Sequence, residues 1–286
     1  MMEIKSISEA LTYLYDLSLN QSNYRFRGQS NDSWSLIPSI YRYSDFMRYQ
    51  TTFYEKYVLD FKPPNSWPPL TYTSHDLEWL MLCQHYEIPT RLMDWTIDIP
   101  TALFFACWGG DTKDKNGALY VCNYEDYPLF HNWQESISKT QELAFVSTHV
   151  TNPRMRGQHG CFMMWGHAPK KDSTETYDLI EYHNKADTPF FLEKLIIPAY
   201  AKQNILKELR DIYSISLENI YIINGYLEKE YGAFFRKIRE ESRLKTLYIT
   251  QADKLNYLEE VKAIRLFRII CKDMFRDCYN IRGWDL

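Results

Sequence analysis

The segment that most limits what this chain can fold into is Ile99–Trp108, where Thr101-Ala102-Leu103-Phe104-Phe105-Ala106 places no charge on any helical face. Pro100 sits in the favoured first turn of a helix and Gly109-Gly110 closes it. A helix apolar on every side belongs in a core, so this segment is assigned packing and no chemistry beyond the positive dipole at its N-terminus near Thr96. A polar turn from Asp111 to Gly117 then leads into a hydrophobic strand, Ala118-Leu119-Tyr120-Val121. The 286 residues suffice for one large domain or two ordinary ones, and 45% hydrophobic with 24% charged residues is the balance of a globular protein. The deviation is aromatic: 23 Tyr, 15 Phe and 8 Trp supply rings for core filling or for stacking on bases and nicotinamide-like rings.

The remaining elements follow from periodicity and punctuation. A short helix is expected over Ile7–Leu19. Tyr24-Arg25-Phe26-Arg27 alternates aromatic and basic residues as a strand does, and Gly28 is expected to stop it. Helices are expected over Phe46–Phe61, ended by the Pro63–Pro69 loop, and from Ser74 to His85. Further strands are expected at Ala144–Ser147, Gly160–Trp165 and Phe191–Ile197, followed by a helix over Lys202–Ile212. Gly232–Leu247 and Ala252–Cys278 read as charged helices forming a C-terminal cap. Leu258, Val261, Ile264 and Ile270 mark one face of that cap, which is a candidate surface for a protein partner.

A net charge of −4 gives no global attraction to nucleic acid or anionic lipid, so a phosphate-bearing ligand must be held locally. No stretch approaches the roughly 18 apolar residues of a membrane span, and the N-terminus has no signal-like segment, so a cytoplasmic protein without a membrane partner is expected. The six cysteines are dispersed and form no CxxC pair. Cys83 with His85, and His159 with Cys161, would make a poorly spaced metal set, and no metal is expected.

Chemistry-bearing residues fall in three places. Arg27, at a strand end beside Gly28, has the fork that holds a phosphate or carboxylate, and glycine lets a ligand approach the backbone. Gln84-His85 through Pro89-Thr90-Arg91-Leu92 to Asp94-Trp95-Thr96 gathers polar groups into an expected turn between two helices, either presented to a ligand or pinned by an Arg91–Asp94 pair. Arg154-Met155-Arg156-Gly157-Gln158-His159 precedes the strand at Gly160.

Together these blocks resemble the FRG-domain family. The resemblance rests on Phe26-Arg27-Gly28-Gln29-Ser30 with Trp34 and Pro38-Ser39; the Gln84-to-Thr96 block; Pro100 with Ala102–Ala106; Gly117–Tyr120; and Gln158 with Gly160 and Phe162. It spans about residues 20–225 and implies an FRG domain over 1–228 with a helical extension over 229–286. Tyr86-Glu87-Ile88 departs from the family's usual Tyr-Gly. The implied fold is α+β, with small mixed or antiparallel sheets surrounded by helices.

The block order is also similar to that of ADP-ribosyltransferases, which implies NAD as substrate and Arg27, Asp94, Thr96, Gln158 and Glu193 as candidate catalytic residues. In that plan Arg27, Gly28, Gln29, His85, Arg91 and Thr96 would hold the nucleotide. The negative charge needed beside an oxocarbenium-like centre is the gap: Gln158 is neutral, Glu193 is off by one position, and Asp94 is the other candidate. Two other readings stay open. One is a toxin-type effector module that binds a nucleotide or nucleic acid without turnover; the other is a hydrolase using His85 with Asp94. A protein or nucleic-acid acceptor is the implied partner of the transferase.

Overall fold

Burial on both faces explains why Ala118–Val121 forms a strand: the element runs Gly117–Asn123 and is buried along its whole length. The computed structural model describes residues 2–18, 23–42, 76–85, 89–131, 143–147, 157–165, 178–186 and 190–221. The expected helices at 46–61, 232–247 and 252–278, the Pro63–Pro69 loop, Tyr86–Ile88, Arg154 and Arg156 lie outside the described residues.

The strands are β1 (Tyr24–Gln29), β2 (Leu92–Thr96), β3 (Gly117–Asn123), β4 (Leu129–His131), β5 (Ala144–Ser147), β6 (Gly160–Met164) and β7 (Leu192–Ile197). They form one mixed sheet in the order β4-β5-β6-β2-β1-β3-β7, so the class is α+β with one sheet where several small ones were expected. Among these strands β4 and β5 pair in parallel and the other pairs are antiparallel; Glu3 adds a parallel bridge to Ile196 of β7. The helices are α1 (Ile7–Ser18), α2 (Asp76–His85), α3 (Ile99–Cys107), α4 (Leu179–Lys185), α5 (Lys202–Tyr213) and α6 (Leu217–Tyr221). Among the described residues no helix is long and apolar enough to cross a membrane.

Each face of the sheet has its own core. Phe26, Leu119, Val121 and Leu195 pack against α1, α3 and α5 through Ile7, Leu103, Phe104 and Ile205. On the other face Trp95, Tyr120, Phe145 and Met163 pack against Leu36, Ile40 and Tyr41 and against Leu77 and Leu80 of α2. Each such side chain contributes about 1.5–3 kcal/mol on burial. Helix α3 is the keystone of its layer, with its first turn capped by Asp98, whose Oδ2 accepts from Thr101 N at 2.9 Å and Thr101 Oγ1 at 2.6 Å.

Two expectations are corrected here. Gly28 does not stop its strand; β1 runs on to Gln29 and pairs with β3 from Tyr24↔Asn123 to Gln29↔Ala118. A Cβ on Gly28 would collide with the backbone of Ala102 and Ala106, and one on Gly117 with Ala106, so these glycines let α3 lie directly on the sheet. Asp94-Trp95-Thr96 is strand, not turn: β2 pairs with β6 along its length and is buried between two layers. Lys202, fully buried, ties α5 to the sheet by donating to Ser30 O at 2.6 Å and Thr112 O at 3.0 Å.

Candidate functional site

The central pair of strands is joined at one point. β1 and β2 meet only at Phe26↔Thr96; beyond it β1 stays with β3 and β2 with β6, so the sheet divides along this seam. A cavity of about 450 Å³ opens there. Arg27 and Gly28 of β1 face Asp94, Trp95 and Thr96 of β2 across it, α3 contributes Ala102 and Phe105, α2 contributes Gln84, and Gln158 and Cys161 stand at the β6 side. The turn Ile37–Arg42 completes the wall.

Arg27, Arg42 and Asp94 are the charged residues of this lining among the described residues. The Arg27 side chain is 12% exposed; its Nη1 donates to the Asp94 carbonyl at 2.5 Å and lies 3.8 Å from Asp94 Oδ2. Burial pulls the guanidinium below its ordinary pKa to about 10; the Asp94 carboxylate opposes this and the Arg42 charge adds to it. Arg27 therefore remains a cation at neutral pH. Two buried donors on the lining, Arg27 Nε and Trp95 Nε1, have no acceptor among the described residues.

Among the described residues Asp94 is the carboxylate on the lining, with its side chain 48% exposed. Its Oδ2 accepts from Gln84 Nε2 at 2.9 Å. The Gln84 amide cannot turn over, because its Oε1 accepts from Thr90 Oγ1 at 2.6 Å and Ser39 Oγ at 3.3 Å. Ser39 Oγ in turn accepts from Thr90 N at 3.0 Å. The expected Arg91–Asp94 pair is replaced: Asp94 is held by Arg27 and Gln84, while Arg91 is buried and donates from Nη1 to Trp165 O at 3.0 Å. Residues three apart on a strand face opposite sides, which keeps Arg91 out of the cavity lining.

Thr96 and Gln158 also line the cavity. Thr96 Oγ1 donates to Gln158 O at 2.8 Å and accepts from Asp98 N at 3.0 Å, so the hydroxyl clamps the turn entering β6. That turn contains His159 at φ 45°. The Gln158 amide donates to Ile220 O at 3.3 Å. Gly28 borders the cavity, but α3 occupies the space beside its Cα, so it does not admit a ligand to the backbone from that side. Gln29 is buried outside the lining, with its amide 3.4 Å from Ser35 O. Glu193 points to the α1 side of the sheet, where Tyr13 Oη donates to it, and is separated from the seam by β1 and β3. His85 closes α2, and its side chain lies outside the described residues.

Sequence reasoning missed Arg42, an arginine in a short turn that carries no pattern of its own. Gln84 stands in a polar block whose residue types alone assign it no role. Cys161, on the lining, is pushed up to about 12 by burial, with Arg25 opposing, so it stands as a thiol rather than a nucleophilic thiolate. No group of three or more His, Cys, Asp or Glu placed to hold a metal occurs among the described residues.

No curated protein and no solved structure matches the chain. Residues 22–115 match the model of the FRG domain, which takes in β1, β2, α3 and hence both sides of the seam, and stops just before β3. Over this segment, and on no more of its length, the chain matches the FRG domain.

Proposed function

We propose that the seam cavity binds NAD and that the protein is an ADP-ribosyltransferase-like enzyme acting on a protein or nucleic-acid acceptor. The observation that carries this reading is convergence: Arg27, Asp94, Thr96 and Gln158, from three separated chain segments, border one cavity where the sheet divides. Its volume of about 450 Å³ lies in the range of ligand sites, and Phe26, Trp95, Phe105 and Phe162 give it ring-shaped apolar surface. Arg27 supplies the positive field for the diphosphate, and the unpaired Arg27 Nε and Trp95 Nε1 are donors for its acceptor atoms.

In the reaction, the bond between ribose C1′ and the nicotinamide nitrogen breaks, and its electron pair leaves with nicotinamide, which departs neutral. The ribosyl centre becomes an oxocarbenium cation beside the Asp94 carboxylate, which takes the part considered for Glu193. An acceptor oxygen or nitrogen then bonds to C1′ and releases its proton to solvent. A preorganised carboxylate of this kind contributes roughly a hundredfold or more in rate.

The test is incubation with NAD labelled in the adenylate and a cell lysate, reading nicotinamide release and label transfer for wild type and Arg27→Ala. Release by wild type and its loss in the variant supports the reading; no release by wild type ends it. One observation favours a second reading, binding without turnover: Asp94 already shares its charge with Arg27 and accepts from Gln84. In that case NAD binds and no nicotinamide appears.

A further inference from the structure

We infer that Gln84 is a positioning residue of the seam cavity: its locked side-chain amide holds the Asp94 carboxylate away from Arg27 and keeps that charge turned to the ligand. This rests on the reading of Asp94 as the group beside the ribosyl cation and assigns the residue that maintains it there. Two donors compete for the carboxylate. Arg27 Nη1 lies 3.8 Å from Asp94 Oδ2, too far for a hydrogen bond, whereas Gln84 Nε2 donates to the same oxygen at 2.9 Å. A guanidinium and a carboxylate form a bond about twice as strong as one between neutral groups, so strength alone favours the arginine.

The outcome is decided by what stands behind each donor. Gln84 Oε1 accepts from Thr90 Oγ1 at 2.6 Å and from Ser39 Oγ at 3.3 Å, which leaves the NH2 facing Asp94. Thr90 is fixed in turn: its N donates to Ser39 Oγ at 3.0 Å and its Oγ1 accepts from Leu92 N at 3.2 Å. The end of α2, the turn Ile37–Arg42 and the start of β2 therefore fix one amide. A donor already immobilised loses no further side-chain freedom on bonding, which offsets its lack of charge. Arg27 is committed differently, its Nη1 donating to the main-chain carbonyl of Asp94 at 2.5 Å. Met93 and Trp95 are buried on either side of Asp94, while the carboxylate held by Gln84 is half exposed on the cavity lining. Without the amide, rotation of the Asp94 side chain brings its carboxylate onto the guanidinium, and the resulting ion pair cancels the charge at the reacting centre.

The experiment compares full-length wild type with Gln84→Met, which keeps the side-chain length and removes its hydrogen bonds, and with Thr90→Val and Thr90→Ser. The first readout needs no ligand: the Nε–H resonance of Arg27 in 15N-labelled protein, assigned by its absence in Arg27→Lys. Gln84→Met is expected to shift this resonance, and to leave it in place when Asp94→Asn is already present. The second is nicotinamide release from NAD. Gln84→Met should lower kcat roughly tenfold to a hundredfold, the range for a partner that orients a reacting group, with KM little changed. Thr90→Val, which frees the amide without removing it, should fall in the same direction and carries the comparison if Gln84→Met does not fold. Thr90→Ser keeps the hydroxyl and should match wild type. An Arg27 resonance that stays put in Gln84→Met and Thr90→Val overturns the assignment, as does the same shift in the Asp94→Asn background or a loss confined to KM. If the resonance moves as expected but wild type releases no nicotinamide, the positioning role stands and the transferase reading falls.

Discussion

Arg27 Nη1 reaches the carbonyl oxygen of Asp94 at 2.5 Å across the gap where β1 and β2 part company. The two strands have one register pair, so this side-chain bond takes the place of the next rung of the ladder. A backbone carbonyl in that position would otherwise lack a donor. The arginine therefore closes the sheet at the point where the cavity opens it.

Replacing Arg27 with Met should lower stability by about 1–3 kcal/mol, the cost of leaving a buried carbonyl without its partner. Arg27→Lys should lose nearly as much, because a single ammonium on a shorter, differently shaped head does not reproduce the fork. Urea denaturation of the three proteins decides this. A Met variant as stable as wild type would mean that relief of guanidinium desolvation outweighs the bridge, and the role of brace would be lost.

Gly28→Ala tests the seating of α3. The added methyl meets the carbonyl of Ala102 and the amide nitrogen of Ala106, both main chain, so the helix must shift rather than a side chain turn aside. A loss of about 3 kcal/mol or more is expected from overpacking against backbone. Thermal unfolding should show a fall of many degrees for Gly28→Ala, whereas Gly110→Ala, where an added methyl meets nothing, should change little.

These contacts also show how far the sequence could be read. The helix at α3 and the strands β3, β6 and β7 were visible because Pro100, Gly109-Gly110 and the apolar runs are local signals. β2 was hidden: a central strand buried on both faces has no period-two alternation, and its polar Asp94 and Thr96 imitate a turn. The gathering of Arg27, Asp94, Thr96 and Gln158 was legible from block order, but their bonds were not. Thr96 is engaged by a turn that follows it by some sixty positions in the chain, and Gly28 is packed beneath a helix. Such roles arise from tertiary partners that no local pattern encodes.

Asp94→Asn separates charge from shape at the cavity. The asparagine oxygen can still accept from Gln84 Nε2, and the main-chain carbonyl still accepts from Arg27, so the fold should unfold within a few degrees of wild type. If Asp94 stabilises the departing ribosyl cation, nicotinamide release should drop by roughly a hundredfold or more. Steady-state release, set beside a thermal melt of the same sample, checks both statements. An undiminished rate would remove Asp94 from the chemistry.

Away from the seam, the acid response of the α4 side is expected to follow His183. Its ring packs against both Tyr127 and Phe190, at 5.7 and 5.0 Å between centroids, with those two rings 5.2 Å from each other, and its Nε2 lies 2.6 Å from Tyr127 Oη. Burial lowers its pKa from 6.5 to about 4, with Asp126 opposing. The unfolded chain therefore takes up the proton first as pH falls. The histidine's contribution to stability is full above about 6.5 and is lost progressively as the pH drops towards about 4. His183→Phe keeps the stack and removes the titration. Urea midpoints at pH 7.0, 5.5 and 4.5 should therefore decline less steeply in the variant than in wild type, even though the variant starts lower at pH 7.0 through loss of the Tyr127 hydrogen bond. Parallel declines would show that His183 is charged within the fold and that its acid sensitivity resides elsewhere.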